Sequence, residues 1–176
     1  SVPYSLFLNF DKATAGFAIL FFQTGLIKNL SELKYCLKKI IILGILSITT
    51  IMLLSFIIGI IKFEPKIPWF IGIFIISNLF FTCIAEELFF RKLIQDNIKT
   101  VFYKSKYSKL LGITASASFF GIVHLAGGIR YCLVAFVAGI FYAYIYEKTK
   151  KIETPIFVHF LVNIKHILFF TYPALK

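Results

Sequence analysis

An all-α, polytopic transmembrane helical bundle with about five to six membrane segments is the fold class this sequence predicts, and composition and span length both point to it. Of its 176 residues, 59% are hydrophobic and 15% charged. Uncharged stretches long enough to cross ~30 Å of hydrocarbon recur along the chain. A soluble domain of this size would carry ~25% charged residues and a polar face on most helices.

The elements follow in order. Residues 1–39 read as a short apolar segment and a basic linker. The apolar stretch Ala13–Ile27 is fifteen residues long, short for a span, and its topology stays open between a tilted span, the end of a truncated helix and an interfacial segment. No signal peptide with a cleavage site is visible, and because the chain starts at Ser1 rather than Met, a helix could precede it. Residues 40–67 read as a transmembrane helix and its loop. Within them, 40–61 (IIILGILSITTIMLLSFIIGII) contain no charge. Residues 68–176 form the helical core that carries the motifs. Its first span starts after the breaker FEPKIP, with Pro68 and Trp69 at the interface, and runs from Trp69 toward Gln95. The remaining spans are predicted at about Leu110–Ala126, Tyr131–Tyr146 and Thr154–Tyr172.

The net charge of +11 reports loops that face anionic lipid, and the bilayer rather than nucleic acid is the implied partner. Lys28, Lys34, Lys38 and Lys39 precede the first clear span. Lys92, Lys99, Lys104, Lys106 and Lys109 lie between the second and third, and Lys148, Lys150 and Lys151 between the fourth and fifth. These connections are predicted cytoplasmic. Those opposite carry only Lys62 and Lys66, or Arg130, so the alternation holds at every loop. Cys36, Cys83 and Cys132 show neither CxxC nor metal-ligand spacing and read as packing residues.

The polar residues inside these spans are the chemical signal. Glu86 and Glu87 sit in FFTCIAEELFFRKLIQ with Arg91 four positions after the second. An ionisable residue at such a depth costs ~2.5–3.5 kcal/mol on insertion scales and marks a functional site by default. On a helix Glu87 and Arg91 face each other, whereas Glu86 is rotated about 100° away. Glu87 is therefore expected to be the structural partner of Arg91, leaving Glu86 to face a water-containing pocket as a general base. In FFGIVHLAGG, Phe120 and His124 are one turn apart on one face. In PIFVHFLVNIKHILFF, His159, Asn163 and His166 form a polar stripe that requires polar partners. Counted from a hairpin tip near Tyr103, Glu86 and His124 fall at similar depth. Convergence with His159 requires the second and third spans to project further than the fourth and fifth.

The ordered set EExxxR (Glu86, Glu87, Arg91), FxxxH (Phe120, His124) and HxxxN (His159, Asn163) resembles the CPBP family of intramembrane proteases, the CAAX protease and bacteriocin-processing or Abi group that includes CAAX prenyl protease 2-like enzymes. The resemblance covers roughly the last hundred residues and implies that 68–176 are a catalytic core hydrolysing a peptide bond of a membrane-associated protein or peptide. It implies that Glu86 and His124 activate water, that His159 and Asn163 polarise the carbonyl or stabilise the oxyanion, and that Glu87 and Arg91 orient the helix. Whether a metal takes part stays open. Glu86, His124 and His159 could bind Zn with an open fourth position, and a metal-free scheme with Glu86 as base is physically sufficient. There is no HExxH and no GxSxG. Two other readings stand beside the protease: a non-enzymatic membrane immunity or scaffold protein that binds a partner, and a proton-coupled carrier, against which no inverted repeat is visible. The Lys, Ile and Phe richness points to a bacterial cytoplasmic membrane, and the resemblance implies a core opening toward the cytoplasm. Prenylated proteins are not expected there, so maturation of a secreted peptide or a regulatory membrane protein is the substrate expectation. Oligomeric state is not legible.

Overall fold

Length, hydropathy and capping determine where the helices run. The computed structural model describes residues 10–21 and 25–172. Among them six main helices follow one another: α1 Phe10–Phe21, α2 Leu30–Ile58 and α3 Ile71–Val101, α4 Ser108–Val123, α5 Ile129–Thr149 and α6 Glu153–Phe169. No strand occurs among the described residues, and the one isolated bridge, Phe63 to Phe170, ties the loop after α2 to the end of α6. The all-α expectation therefore holds. Of the five to six membrane segments expected, α2, α3 and α5 are long and apolar enough to cross a bilayer, and α4 is a shorter apolar helix.

α2 begins ten residues before its expected start. The side chain of Asn29 accepts the Glu32 amide at 2.9 Å and caps the helix, so the basic stretch before residue 40 is helical and continuous with the uncharged span. Along the span, Ile45 and Ile57 are 62% and 70% exposed, as side chains solvated by lipid would be. α1 overlaps the apolar stretch at 13–27, of which residues 22–24 lie outside the described residues. It lies against α3, with Phe10 edge-on to Phe81 at 5.3 Å and Phe17 stacked on Phe80 at 6.4 Å. Gly16 permits this contact, since a Cβ there would come within 2.7 Å of the Ala85 Cα.

α3 and α5 run parallel in a constant register. Arg91 reaches the Gly139 carbonyl, Gln95 the Ala143 carbonyl and Lys99 the Glu147 carboxylate, each step one helical turn on. α4 fits beside α5 because Gly139 has no side chain. A Cβ at that position would stand 3.0 Å from the Ala117 Cα, and small residues are how apolar helices approach closely.

The basic connections gather at one end of the bundle. Tyr35 near the start of α2 donates to the Lys148 carbonyl, Lys151 pairs with Glu32 at 2.7 Å, and Lys99 and Lys150 both pair with Glu147. At the other end, Glu64 and Lys66 donate their amides to the Phe169 and Leu168 carbonyls at 2.9 and 2.7 Å, and the Thr171 amide returns a bond to Lys62. The alternation of basic and sparsely charged connections thus coincides with the two ends of the fold.

Candidate active site

Glu87 and Arg91 are both fully buried, 2.8 Å apart from Oε2 to Nε. Charges removed from water in this way persist only when paired and hydrogen-bonded, and the guanidinium is bonded through Nε and Nη1, with Nη2 left unpartnered. Its Nη1 donates to Ser116 Oγ at 2.7 Å, and Ser116 in turn donates to the Phe90 carbonyl at 2.8 Å. Arg91 thereby joins α3 to α4 and α5. The expected Glu87–Arg91 pair is present.

Glu87 has a second task that the sequence does not suggest. The Nδ1–H of His159, on α6, donates to Glu87 Oε1 at 2.9 Å. The ring of His159 is also held by Tyr142, stacked at 4.8 Å and 17°, and by Phe120, edge-on at 5.7 Å. Phe120 belongs to α4, and its carbonyl accepts the Nδ1–H of His124 at 2.6 Å. In both histidines the Nδ1 is committed, so Nε2 is the nitrogen left to meet a reactant.

Phe120, His124, His159, Asn163 and His166 all line one cavity of about 60 Å³, together with Tyr131 and Tyr142. A water needs ~10–15 Å³ by this kind of measure, so the space holds a few waters beside two imidazoles. The Asn163 amide nitrogen donates to Asn78 Oδ1 at 3.3 Å and to Cys83 Sγ at 3.8 Å. His166 bonds the Thr171 carbonyl through Nε2 at 2.9 Å and so serves the turn after α6. The stripe on α6 therefore has polar partners along its whole length.

Glu86 faces elsewhere. It lines a mostly apolar cavity of about 400 Å³ between α1, α3 and the end of α4, shared with Asp11, Gly16, Phe89, Phe90 and Val123. Its Oε2 is buried without a hydrogen-bond partner. The two cavities adjoin. Phe90 lines one and packs against Phe120 of the other at 5.0 Å, while Val123 and His124 are chain neighbours. The structure thus gathers Phe120, His124, His159 and Asn163 on one cavity, joins Glu87 and Arg91 to them, and places Glu86 on the adjoining one.

That placement bears on the zinc expectation. Zinc needs its three protein ligands about 2.0–2.2 Å from one point, and Glu86 does not line the cavity that holds His124 and His159. Among the described residues no three His, Cys, Asp or Glu side chains are grouped to hold a metal ion. The three residues expected as ligands, Glu86, His124 and His159, are thus divided between two adjoining cavities, and the groups at hand are carboxylate, imidazole, amide and hydroxyl.

Several participants escape sequence reading. Ser116, in a run of small residues, lies one turn before Phe120 and carries the Arg91 bond. Gln95, fully buried, continues the Glu87–Arg91 stripe by one more turn and docks on the Ala143 carbonyl at 3.1 Å. The i, i+4, i+8 spacing of 87, 91 and 95 is the signal that could have found it. Nothing local marks Tyr142.

A family model described as type II CAAX prenyl endopeptidase Rce1-like matches residues 67–165. No curated protein and no solved structure matches the chain. The matched residues contain all three motifs and every group named above on α3, α4 and α5, together with His159 and Asn163 of α6.

Proposed function

The chain belongs to the Rce1-like family of type II CAAX prenyl endopeptidases, a family of membrane-integral proteases, and from that premise we propose that it hydrolyses a peptide bond of a membrane-associated protein or peptide by direct attack of water. The observation that carries this reading is the pair of imidazoles on one water-sized cavity, each with its Nδ1 tied and its Nε2 left over.

The division of labour follows from what holds each ring. His124 donates its Nδ1 proton to a carbonyl, so Nε2 carries the lone pair and can take a proton from water. Glu86 shares that task. Its unpartnered oxygen and its place beside Val123 support a carboxylate kept for water or substrate, and proton transfer through one intervening water is geometrically less demanding than metal coordination. The hydroxide adds to the scissile carbonyl. His159, in its imidazolium form with Nδ1–H on Glu87, donates from Nε2 to the oxyanion, and Asn163, held by Asn78 and Cys83 on the same cavity, supports it there. Collapse breaks the C–N bond, and the proton taken from water leaves with the amine. Glu87 plays the part of a buried carboxylate that fixes the ring plane of a catalytic histidine and stabilises its cation.

The cytoplasmic face of a bacterial membrane is the proposed setting, supported by the lysines gathered at one end of the bundle. The substrate proposed is a secreted peptide precursor or a regulatory membrane protein. The test is terminal-peptide mass spectrometry on membranes from cells that express the chain natively, with wild type compared with His124→Ala at matched abundance. Termini that appear only with wild type are expected. Identical profiles would favour a partner-binding scaffold.

A further inference from the structure

Tyr142 belongs to the histidine cavity but has no part in the water-activating scheme. Its ring is almost wholly buried, at 1% exposure, between the face of His159 and the edge of Phe120. A phenylalanine would do that packing equally well. The hydroxyl is what needs explaining, because a buried tyrosine ordinarily finds a hydrogen-bond partner for its O–H.

No described residue bonds the Tyr142 hydroxyl. Nor is it among the sealed, unpartnered polar atoms of the described residues, which are Glu86 Oε2, Arg91 Nη2, Gln95 Oε1 and Glu153 Oε2. The hydroxyl is therefore unpaired but open to the cavity that Tyr142 lines with His124, His159 and Asn163. Tyr131 is the other tyrosine on this cavity, and it sits against His124 at 5.5 Å, on the side where water is activated. Tyr142 lies parallel to the ring whose Nε2 meets the oxyanion.

We propose that Tyr142 is a further catalytic residue, whose hydroxyl donates a hydrogen bond to the oxyanion of the tetrahedral intermediate beside His159 and Asn163. The inference rests on the protease reading. No proton is transferred in this step: the O–H of Tyr142 stays intact, and the bond strengthens as negative charge moves onto the carbonyl oxygen. A donor already open to an enclosed cavity costs little reorganisation when that charge appears, which is why oxyanion donors act mainly on the transition state. Stacking on His159 keeps the phenol in place, so ring and hydroxyl are positioned by the same contact.

The experiment compares wild type, Tyr142→Phe and His124→Ala in native-cell membranes at matched abundance, following the rate at which wild-type-dependent termini appear. Kinetics on a synthetic peptide spanning the cleavage site so found then separate kcat from KM. Tyr142→Phe is expected to lower kcat by about 10²-fold with KM unchanged, and to leave the unfolding midpoint in detergent at or above that of wild type, because no protein bond is lost. Termini sensitive to His124→Ala but produced at the wild-type rate by Tyr142→Phe overturn the role of Tyr142 and leave the protease intact. A Tyr142→Phe loss carried by KM, or by a fallen unfolding midpoint, overturns it as well. Profiles identical in all three overturn the protease reading, and the Tyr142 proposal with it.

Discussion

His159 Nδ1 lies 2.9 Å from Glu87 Oε1, and the other oxygen of that carboxylate lies 2.8 Å from Arg91 Nε, so one buried anion joins a helix-crossing cation to a cavity-facing imidazole. The structural pair and the reactive site are therefore a single unit. Energetically the Glu87–Arg91 pair is no gift to stability, since desolvating two ions offsets most of their attraction. Its value is in fixing which way His159 faces.

Replacing Glu87 with Gln tests that unit. The isosteric amide leaves the guanidinium of Arg91 buried without its counter-ion, a change that costs about 3–5 kcal/mol in comparable buried pairs. The unfolding midpoint in detergent should fall sharply, and cleavage should fall with it. A Glu87→Gln protein as stable as wild type would mean that Arg91 is compensated elsewhere.

Arg91→Lys keeps the charge but loses the fork that reaches Glu87, Ser116 and Gly139 together. A loss of about 1–3 kcal/mol is expected from the groups left unsatisfied. In a double-mutant cycle with Ser116→Ala, the two losses should fall short of additivity by about 0.5 kcal/mol or more. Simple addition would show that the Arg91–Ser116 contact carries no energy.

The three histidines should separate by role. His124→Ala and His159→Ala are each expected to lower kcat by at least about 10²-fold, the usual span of general acid–base and oxyanion groups. His166→Gln, which acts on the Thr171 carbonyl at the end of α6, should lower the unfolding midpoint and leave kcat within about threefold, far inside the span of a catalytic group. Loss of kcat in His166→Gln without loss of stability would move that residue into the chemistry.

Close packing offers a paired comparison of glycines. Gly139→Ala puts a methyl against the Ala117 backbone, whereas at Gly72 nothing stands within 4 Å of the new Cβ. The first should cost about 1–3 kcal/mol through overpacking, with cleavage reduced because α4 carries His124. Gly72→Ala should be neutral or slightly stabilising, as a helical Gly→Ala change usually is. Equal midpoints for the two variants would show that α4 and α5 are not in close contact.

Much of this was legible in the sequence because intramembrane polar residues are so few. Glu87 and Arg91 at i, i+4 could be paired from spacing alone, and the stripe His159, Asn163, His166 demanded partners that it does have. The membrane setting followed from composition. What could not be read was rotation. Adjacent glutamates face directions 100° apart, and which one meets α6 depends on how the Arg91–Ser116 and Gln95–Ala143 contacts turn α3 against α4 and α5. Those contacts fix Glu87, not Glu86, on His159. The same blindness affects Tyr142, one of the nine tyrosines and, by sequence, an unremarkable aromatic on an apolar helix. The start of α2 is hidden for a simpler reason: lysines outside the hydrocarbon look like a linker, and only the Asn29 cap reveals that the helix has already begun.

The most direct test of the central claim is whether water, activated through Glu86 and His124, cuts a peptide bond. Native-cell membranes carrying wild type or Glu86→Gln are incubated in heavy-oxygen water, and protein termini are read by mass spectrometry. The account predicts new carboxyl termini bearing one heavy oxygen in wild-type membranes, and their loss in Glu86→Gln. The same labelled termini in both would remove Glu86 from the chemistry, and no new termini in either would contradict hydrolysis altogether.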